Sequence, residues 1–149
     1  MIMESMKQVL LAGVMACGFL VAADAPPPVS FVSHEKVAEA LAKGGGMVSA
    51  KDLSVSGSHR VAAGQVEVHD KETDVMYVIE GTATLVTGGT MVGGKNTKPG
   101  QWVGTDVKGG DTRQLMKGDV VVVPAGTPHW FKEVPASGIS YYVVKVIKP

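Results

Sequence analysis

Cysteine is nearly absent from this sequence: Cys17 is the only one, and it lies inside an apolar N-terminal run. A disulfide framework is therefore excluded, and so is a structural zinc site built on thiolates. Charge of one sign is lacking too, with 14 basic against 14 acidic residues and a formal net charge of zero. No basic surplus exists to neutralise phosphates, which argues against nucleic acid as the main partner. Only three phenylalanines stand against nineteen glycines and eight prolines. That balance fits many short strands and tight turns and not a helical bundle. What is present suits one packed globule: 149 residues, 45% hydrophobic and 19% charged, enough for one proper core and too few for two.

The N-terminus reads as a targeting segment. Lys7 precedes an apolar run from Val9 to Ala23, and small residues follow with the spacing of a signal-peptidase site. Pro26 would directly follow a cut after Ala25, so cleavage is expected after Ala23. Residues 1–23 are then a signal peptide, 24–32 a stiff spacer containing Pro26-Pro27-Pro28, and 33–149 the folded domain. The chain is expected to be exported, periplasmic or secreted, with no membrane span after processing. A retained anchor is the alternative, and the run is short for one. Acylation at Cys17 is a lesser alternative, because the residues after it stay apolar.

Within the domain, Ser33 is placed to cap a short helix ending at Leu41 or Lys43, with Val37, Ala38 and Leu41 as its apolar stripe. Gly44-Gly45-Gly46 stops it. From Leu53 onward the pattern is strands and turns. Segments 66–69, 75–86, 119–123, 129–133 and 139–147 are rich in β-branched and aromatic residues, with Gly and Pro turns between them. The fold class is therefore all-β, a closed barrel or double-sheet jelly roll with a short N-terminal helix. The glycine-rich stretch from Gly88 to Arg113 reads as an excursion, a mobile lid over the barrel mouth with Trp102 as its cover.

The sharpest feature is Gly118-Asp-Val-Val-Val-Val-Pro124-Ala-Gly126-Thr-Pro-His129. An apolar strand enters a Pro-Gly turn, and His129 starts the returning strand. This matches the second cupin motif up to the histidine, with Glu133 where Asn is usual. Asp74-Val-Met-Tyr-Val-Ile-Glu-Gly81 resembles the end of the first cupin motif, with Asp in place of Glu. Counting back, His69 falls where that motif has its second histidine and Glu67 where it has its first. The sequence thus resembles a small single-domain cupin from about Leu53 to Val146. The resemblance implies a double-stranded β-helix, a jelly-roll barrel, with a divalent metal inside.

Glu67 and His69 are two apart, so on a strand they share a face. Asp74 follows across a turn, and His129 arrives from a distant strand. Two imidazoles with one or two carboxylates form a mixed N/O set that suits Mn, Fe, Zn, Ni or Cu. Each residue also has a plainer reading: a hydrogen-bonded histidine at the barrel mouth, a turn-capping Asp74, a solvent-facing Glu67. Glu72 competes for the carboxylate role but does not keep the motif's distance to Gly81. His34 and His59 read as structural or surface residues. Alternation points Met76, Val78 and Phe131 inward as pocket lining beside Trp102, and Val75, Tyr77 and Ile79 outward as a homodimer face. The function expected is a metal-dependent enzyme, an oxygenase, isomerase or lyase, acting on a small organic molecule. The alternative is a non-catalytic cupin that binds a metal or small ligand, or is purely structural.

Overall fold

The computed structural model describes residues 27–149. The apolar run, Cys17 and the expected cut after Ala23 lie outside the described residues. Residues 27–32 form neither helix nor strand. The expected helix is α1 (His34–Lys43), with Ser33 extended at its N-cap position but making no side-chain capping bond. Its buried residue is Ala40, while Ala38 is exposed. Gly44, at φ 77°, ends the helix and donates its N–H to the Ala40 carbonyl.

Strands begin sooner than Leu53, because β1 (Gly45–Ser49) follows the helix directly. It pairs with β2 (Leu53–Arg60), against which α1 packs. Gly57 makes that approach possible: a Cβ there would stand 2.6 Å from the Ala40 backbone. The remaining long strands are β3 (Val66–His69), β4 (Glu72–Thr87), β9 (Asp111–Met116), β10 (Val120–Val123), β11 (His129–Glu133) and β12 (Ile139–Ile147).

The sixteen-residue β4 organises the interior. Its first half pairs with β12 and β10, and its second half with β9 and β11. It therefore belongs to two sheets that face each other. The corner lies at Gly81, at φ 84°, where any Cβ would collide with the Gly138 carbonyl oxygen. Alternation along these strands sends Met76, Val78, Ala83, Leu85, Phe131, Ile139, Tyr141 and Val143 into one core.

The stretch from Gly88 to Arg113 corrects the expectation of an unpaired excursion. It holds β5 (Thr90–Val92), β6 (Lys95–Lys98), β7 (Gln101–Gly104) and β8 (Asp106–Lys108), and then enters β9. Strand β5 pairs with β8, and β6 with β7. Strand β7 continues the sheet beside β3. Six of its glycines sit at the corners between these strands with positive φ: Gly88, Gly89, Gly93, Gly100, Gly109 and Gly110. They turn the chain so that these short strands can pair.

Candidate metal centre

Glu67 and His69 share one face of β3, and Glu67 lies directly across from His129 on β11. The turn from Pro124 to Gly126 docks on the first motif: the Gly126 N–H donates to the His69 carbonyl at 2.7 Å. Asp74 comes from the opposing sheet, buried on β4 between Val123 and Lys145. All four residues singled out in the sequence therefore meet at one end of the interior.

Asp74 Oδ2 is 3.6 Å from His69 Nε2 and 3.7 Å from His129 Nε2, and Glu67 Oε2 is 3.6 Å from His69 Nε2. The two imidazole centroids are 5.0 Å apart. One donor atom each of Glu67, His69 and His129 lie within 4.8 Å of one another, as do those of His69, Glu72 and Asp74. Separations of 3.6–3.7 Å are too long for hydrogen bonds. They match the spacing of ligands around a common ion, since two donors each about 2.1 Å from a metal stand roughly 3–4 Å apart.

His69 is 7% exposed, and neither of its ring nitrogens has a hydrogen-bond partner. Leaving a buried polar atom unsatisfied costs about 1–3 kcal/mol, so such an atom calls for an explanation. An ion answers it, and the N/O donor set fits one. His129 is oriented for the same task. Its Nδ1 lies 3.2 Å from the Thr127 carbonyl, which can only accept, so Nδ1 carries the proton and Nε2 presents a lone pair.

Two cations that the sequence reading passed over complete the site. Lys145, directly across from Asp74 on β12, donates to both its oxygens at 2.8 and 3.1 Å, and its ammonium is 3.0 Å from Glu72 Oε2. Arg60 donates from Nε to the Tyr141 hydroxyl at 2.8 Å and from Nη2 to Glu67 Oε1 at 3.3 Å. Its guanidinium also lies 4.9 Å from the Phe131 ring centroid. A signal for Lys145 was available: it stands in the inward phase of β12 with Tyr141 and Val143, where a charge is out of place.

These charges set the titration of the site. Burial opposes ionisation of Asp74, but His69 and Lys145 outweigh it and lower its pKa. Glu72 is lowered in the same way, against burial, chiefly by Lys145. Burial also works against charge on His69, yet Asp74 and Glu67 raise its pKa despite Lys145. For His129 burial prevails and the pKa falls. Arg60 stays charged: Tyr141 and Glu67 overcome its burial and raise its pKa.

Beside the four donors is a cavity of about 110 Å³, lined by Met76, Phe131, Tyr141 and Val143 and by the polar side chains of Ser56, Ser58, Arg60, Gln65, Glu67, Asp74, His129 and Lys145. Met76 and Phe131 thus line it as alternation predicts. Val78 does not; it lies two residues further along β4, inside the apolar core. Trp102 does not either. In the β3–β7 register Val103 and Gln101 oppose Glu67 and His69, so Trp102, opposite Val68, faces away. Its indole donates to Asp70 Oδ2 at 3.1 Å. His59 bonds Ser140 and His34 lies beside Glu35, both away from the site. Glu133, in the usual place of Asn, accepts from Thr84 at 3.0 Å.

No curated protein is similar to the chain in sequence. Among solved structures it resembles BH2720 from Bacillus halodurans, 14% identical over 82% of this chain and 84% of that one, with a TM-score of 0.58. It resembles the Cnp3 cupin domain of Schizosaccharomyces pombe at 11% identity over 70% of this chain and 59% of that one, TM-score 0.51. Peruvianin-I from Thevetia peruviana latex matches at 14% identity over 64% of this chain, TM-score 0.44, and the chain spans 51% of its length. At these identities the likeness to BH2720 and to the Cnp3 domain is one of fold. The family model described as Cupin matches residues 30–147, and with that span covered the chain belongs to the cupin family.

Proposed function

We propose that this cupin holds one divalent transition-metal ion, Mn, Fe, Zn, Ni or Cu, through His69, His129, Glu67 and Asp74, and acts as a metal-dependent enzyme on a small organic molecule. The observation that carries this reading is His69, buried with both ring nitrogens unpartnered. When bound, such an ion supplies Lewis-acid polarisation of an oxygen or a centre for oxygen chemistry. The chain's own part is orientation. The Thr127 carbonyl fixes the His129 tautomer, Lys145 holds Asp74, and Arg60 holds Glu67.

Elemental analysis of the natively produced protein tests the reading, together with His69→Ala and His129→Ala. Near-stoichiometric metal in the parent and loss of most of it in both variants is expected. Unchanged metal content in both variants would remove the site from consideration. Glu67→Ala and Asp74→Ala then report which carboxylate is a ligand. One observation favours a second reading, a non-catalytic cupin: Lys145 already engages both oxygens of Asp74, as an ion would. Metal-free protein from native cells, with full stability, would select it.

Two further expectations belong to the same proposal. Export is supported by the apolar segment and Val21-Ala22-Ala23, and a mature N-terminus at Asp24 on sequencing would establish it. A homodimer is supported by the outer face of β4 and β10, where Tyr77, Val120 and Val122 are 44%, 62% and 58% exposed while Val75 and Ile79 are half-buried. Sedimentation at high concentration showing monomer alone would refute it.

A further inference from the structure

We infer that this end of the barrel holds two cation positions bridged by Asp74, and that Lys145 is the built-in occupant of the second, so that the protein accepts one metal ion and not two. The first position is the proposed metal centre, on which this inference builds; the second stands on contacts of its own.

The donors fall into two overlapping groups. Glu67, His69 and His129 make one, and His69, Glu72 and Asp74 make the other. His69 belongs to both, and its nitrogens look different ways: Nε2 is 3.6 Å from Glu67 Oε2, and Nδ1 is 3.9 Å from Glu72 Oε2. Both nitrogens are buried without a hydrogen-bond partner. Asp74 is divided in the same manner. Its Oδ2 lies 3.6 and 3.7 Å from the Nε2 atoms of His69 and His129, while its Oδ1 is 2.8 Å from the Lys145 ammonium. One oxygen is thus turned to each position, as in a carboxylate shared by two cations.

The cation in the second position belongs to the chain. Lys145 Nζ is 2.8 and 3.1 Å from the two oxygens of Asp74 and 3.0 Å from Glu72 Oε2. An ammonium has three protons to donate, and three oxygens receive them. The register of β12 on β4 sets Lys145 directly across from Asp74, so strand pairing itself carries the charge to this place. Charge then keeps a second ion out. Three carboxylates, Glu67, Glu72 and Asp74, face two cations, Arg60 and Lys145, which leaves one negative charge. One divalent ion turns that into one positive charge, and a second beside Lys145 would make it three. Two-ion centres clamp both the attacking and the leaving oxygen of a displacement. With an ammonium in the second position, one ion alone is left to bind an oxygen.

The test counts manganese bound by the full chain after chelator treatment, by equilibrium dialysis and elemental analysis. Manganese is chosen because a thioether is a poor ligand for it, so methionine in place of Lys145 adds no donor. The parent should bind one equivalent and Lys145→Met two, while Lys145→Arg, which keeps a cation there, should stay at one. Lys145→Ala should also bind two, and it serves if the methionine protein does not fold. Adding Glu72→Gln to Lys145→Met should return the count to one. Adding His129→Ala instead should remove the first ion and leave the second. Two equivalents in the parent, one in both Lys145→Met and Lys145→Ala, or a second equivalent that survives Glu72→Gln would each overturn the inference. A parent that binds none is the separate failure of the metal centre. In that case one ion gained by Lys145→Met and lost again with Glu72→Gln upholds the second position, and none gained ends both.

Discussion

The same three strands build both ends of the barrel interior, and they build them differently. At one end β4, β11 and β12 contribute Asp74, His129 and Lys145; one inward step along each, they contribute Met76, Phe131 and Val143. Beyond that step lie Val78, Leu85 and Ile139, all nearly inaccessible. The apolar end is satisfied by contact alone. The charged end balances imperfectly, since Lys145 and Arg60 have partners while His69 has none. One end therefore holds the fold together, and the other draws on the stability it provides. The difference teaches that a polar site can be placed in a small barrel when a dry layer one step deeper carries the packing.

The comparison breaks most visibly at the dry end. Leu85→Ala should cost about 2–5 kcal/mol in urea unfolding, because it opens a cavity in the packed core. The metal content of the folded fraction should be unchanged. A loss of metal in step with the loss of stability would mean that the two ends are not separable.

A smaller effect is expected from Lys145→Met at the charged end. It leaves Asp74 and Glu72 facing each other without their cation, in a part of the site that is still partly solvated. The expected cost is about 1–3 kcal/mol in the metal-free protein, discounted for that exposure. An added divalent ion should restore much of it, since the carboxylates then have another positive partner. A Lys145→Met protein as stable as the parent in chelator, with no gain from metal, would deny this pair its place in the site.

The smallest effect is the acid limb of stability in the metal-free protein. The pKa values of Asp74 and Glu72 are lowered on folding. Their contribution is thus present above the unfolded carboxylate range, about 4, and is lost as pH falls through the folded values. Near neutrality the histidines oppose each other. The raised His69 favours the fold below its unfolded pKa and stops doing so above its folded one, while the lowered His129 makes stability rise with pH. Thermal melts in chelator should therefore be highest near the unfolded histidine value, about pH 6.5, decline on either side of it, and fall again below about pH 4. The fall should be shallower in Lys145→Met.

The candidate residues could be picked out in the sequence because they are tied to turns. Pro124 and Gly126 fix where His129 begins its strand, and the interval from Asp74 to Gly81 marks the length of β4 up to its corner. Alternation then gave the inward residues of single strands correctly, as with Met76 and Phe131. What it could not give was which strands face each other. Arg60 and Lys145 become part of the site only because β2 and β12 lie beside β4 in the opposing sheet, and no local pattern encodes that neighbour relation. The stretch around Trp102 failed for another reason. Its many glycines looked like broken pairing, but they supply the left-handed residues at the corners, where a short β6–β7 hairpin sits inside the β5–β8 pair.

The hydrogen bond from Gly126 to the His69 carbonyl joins the two halves of the site across nearly half of the described chain. Along the chain, 71 residues separate Lys145 from Asp74 and 81 separate Arg60 from Tyr141. Contacts of such reach are slow to form, because the entropy of closing long loops is lost before any reward is gained. The donor set thus does not exist in any short fragment of the chain and is assembled only when the first and last strands have met. An ion arriving during folding would find isolated histidines and carboxylates, each a weak and unselective ligand. Metal capture through the proposed centre would therefore be an event of the finished barrel, timed by closure of the chain and not by the encounter of ion and polypeptide.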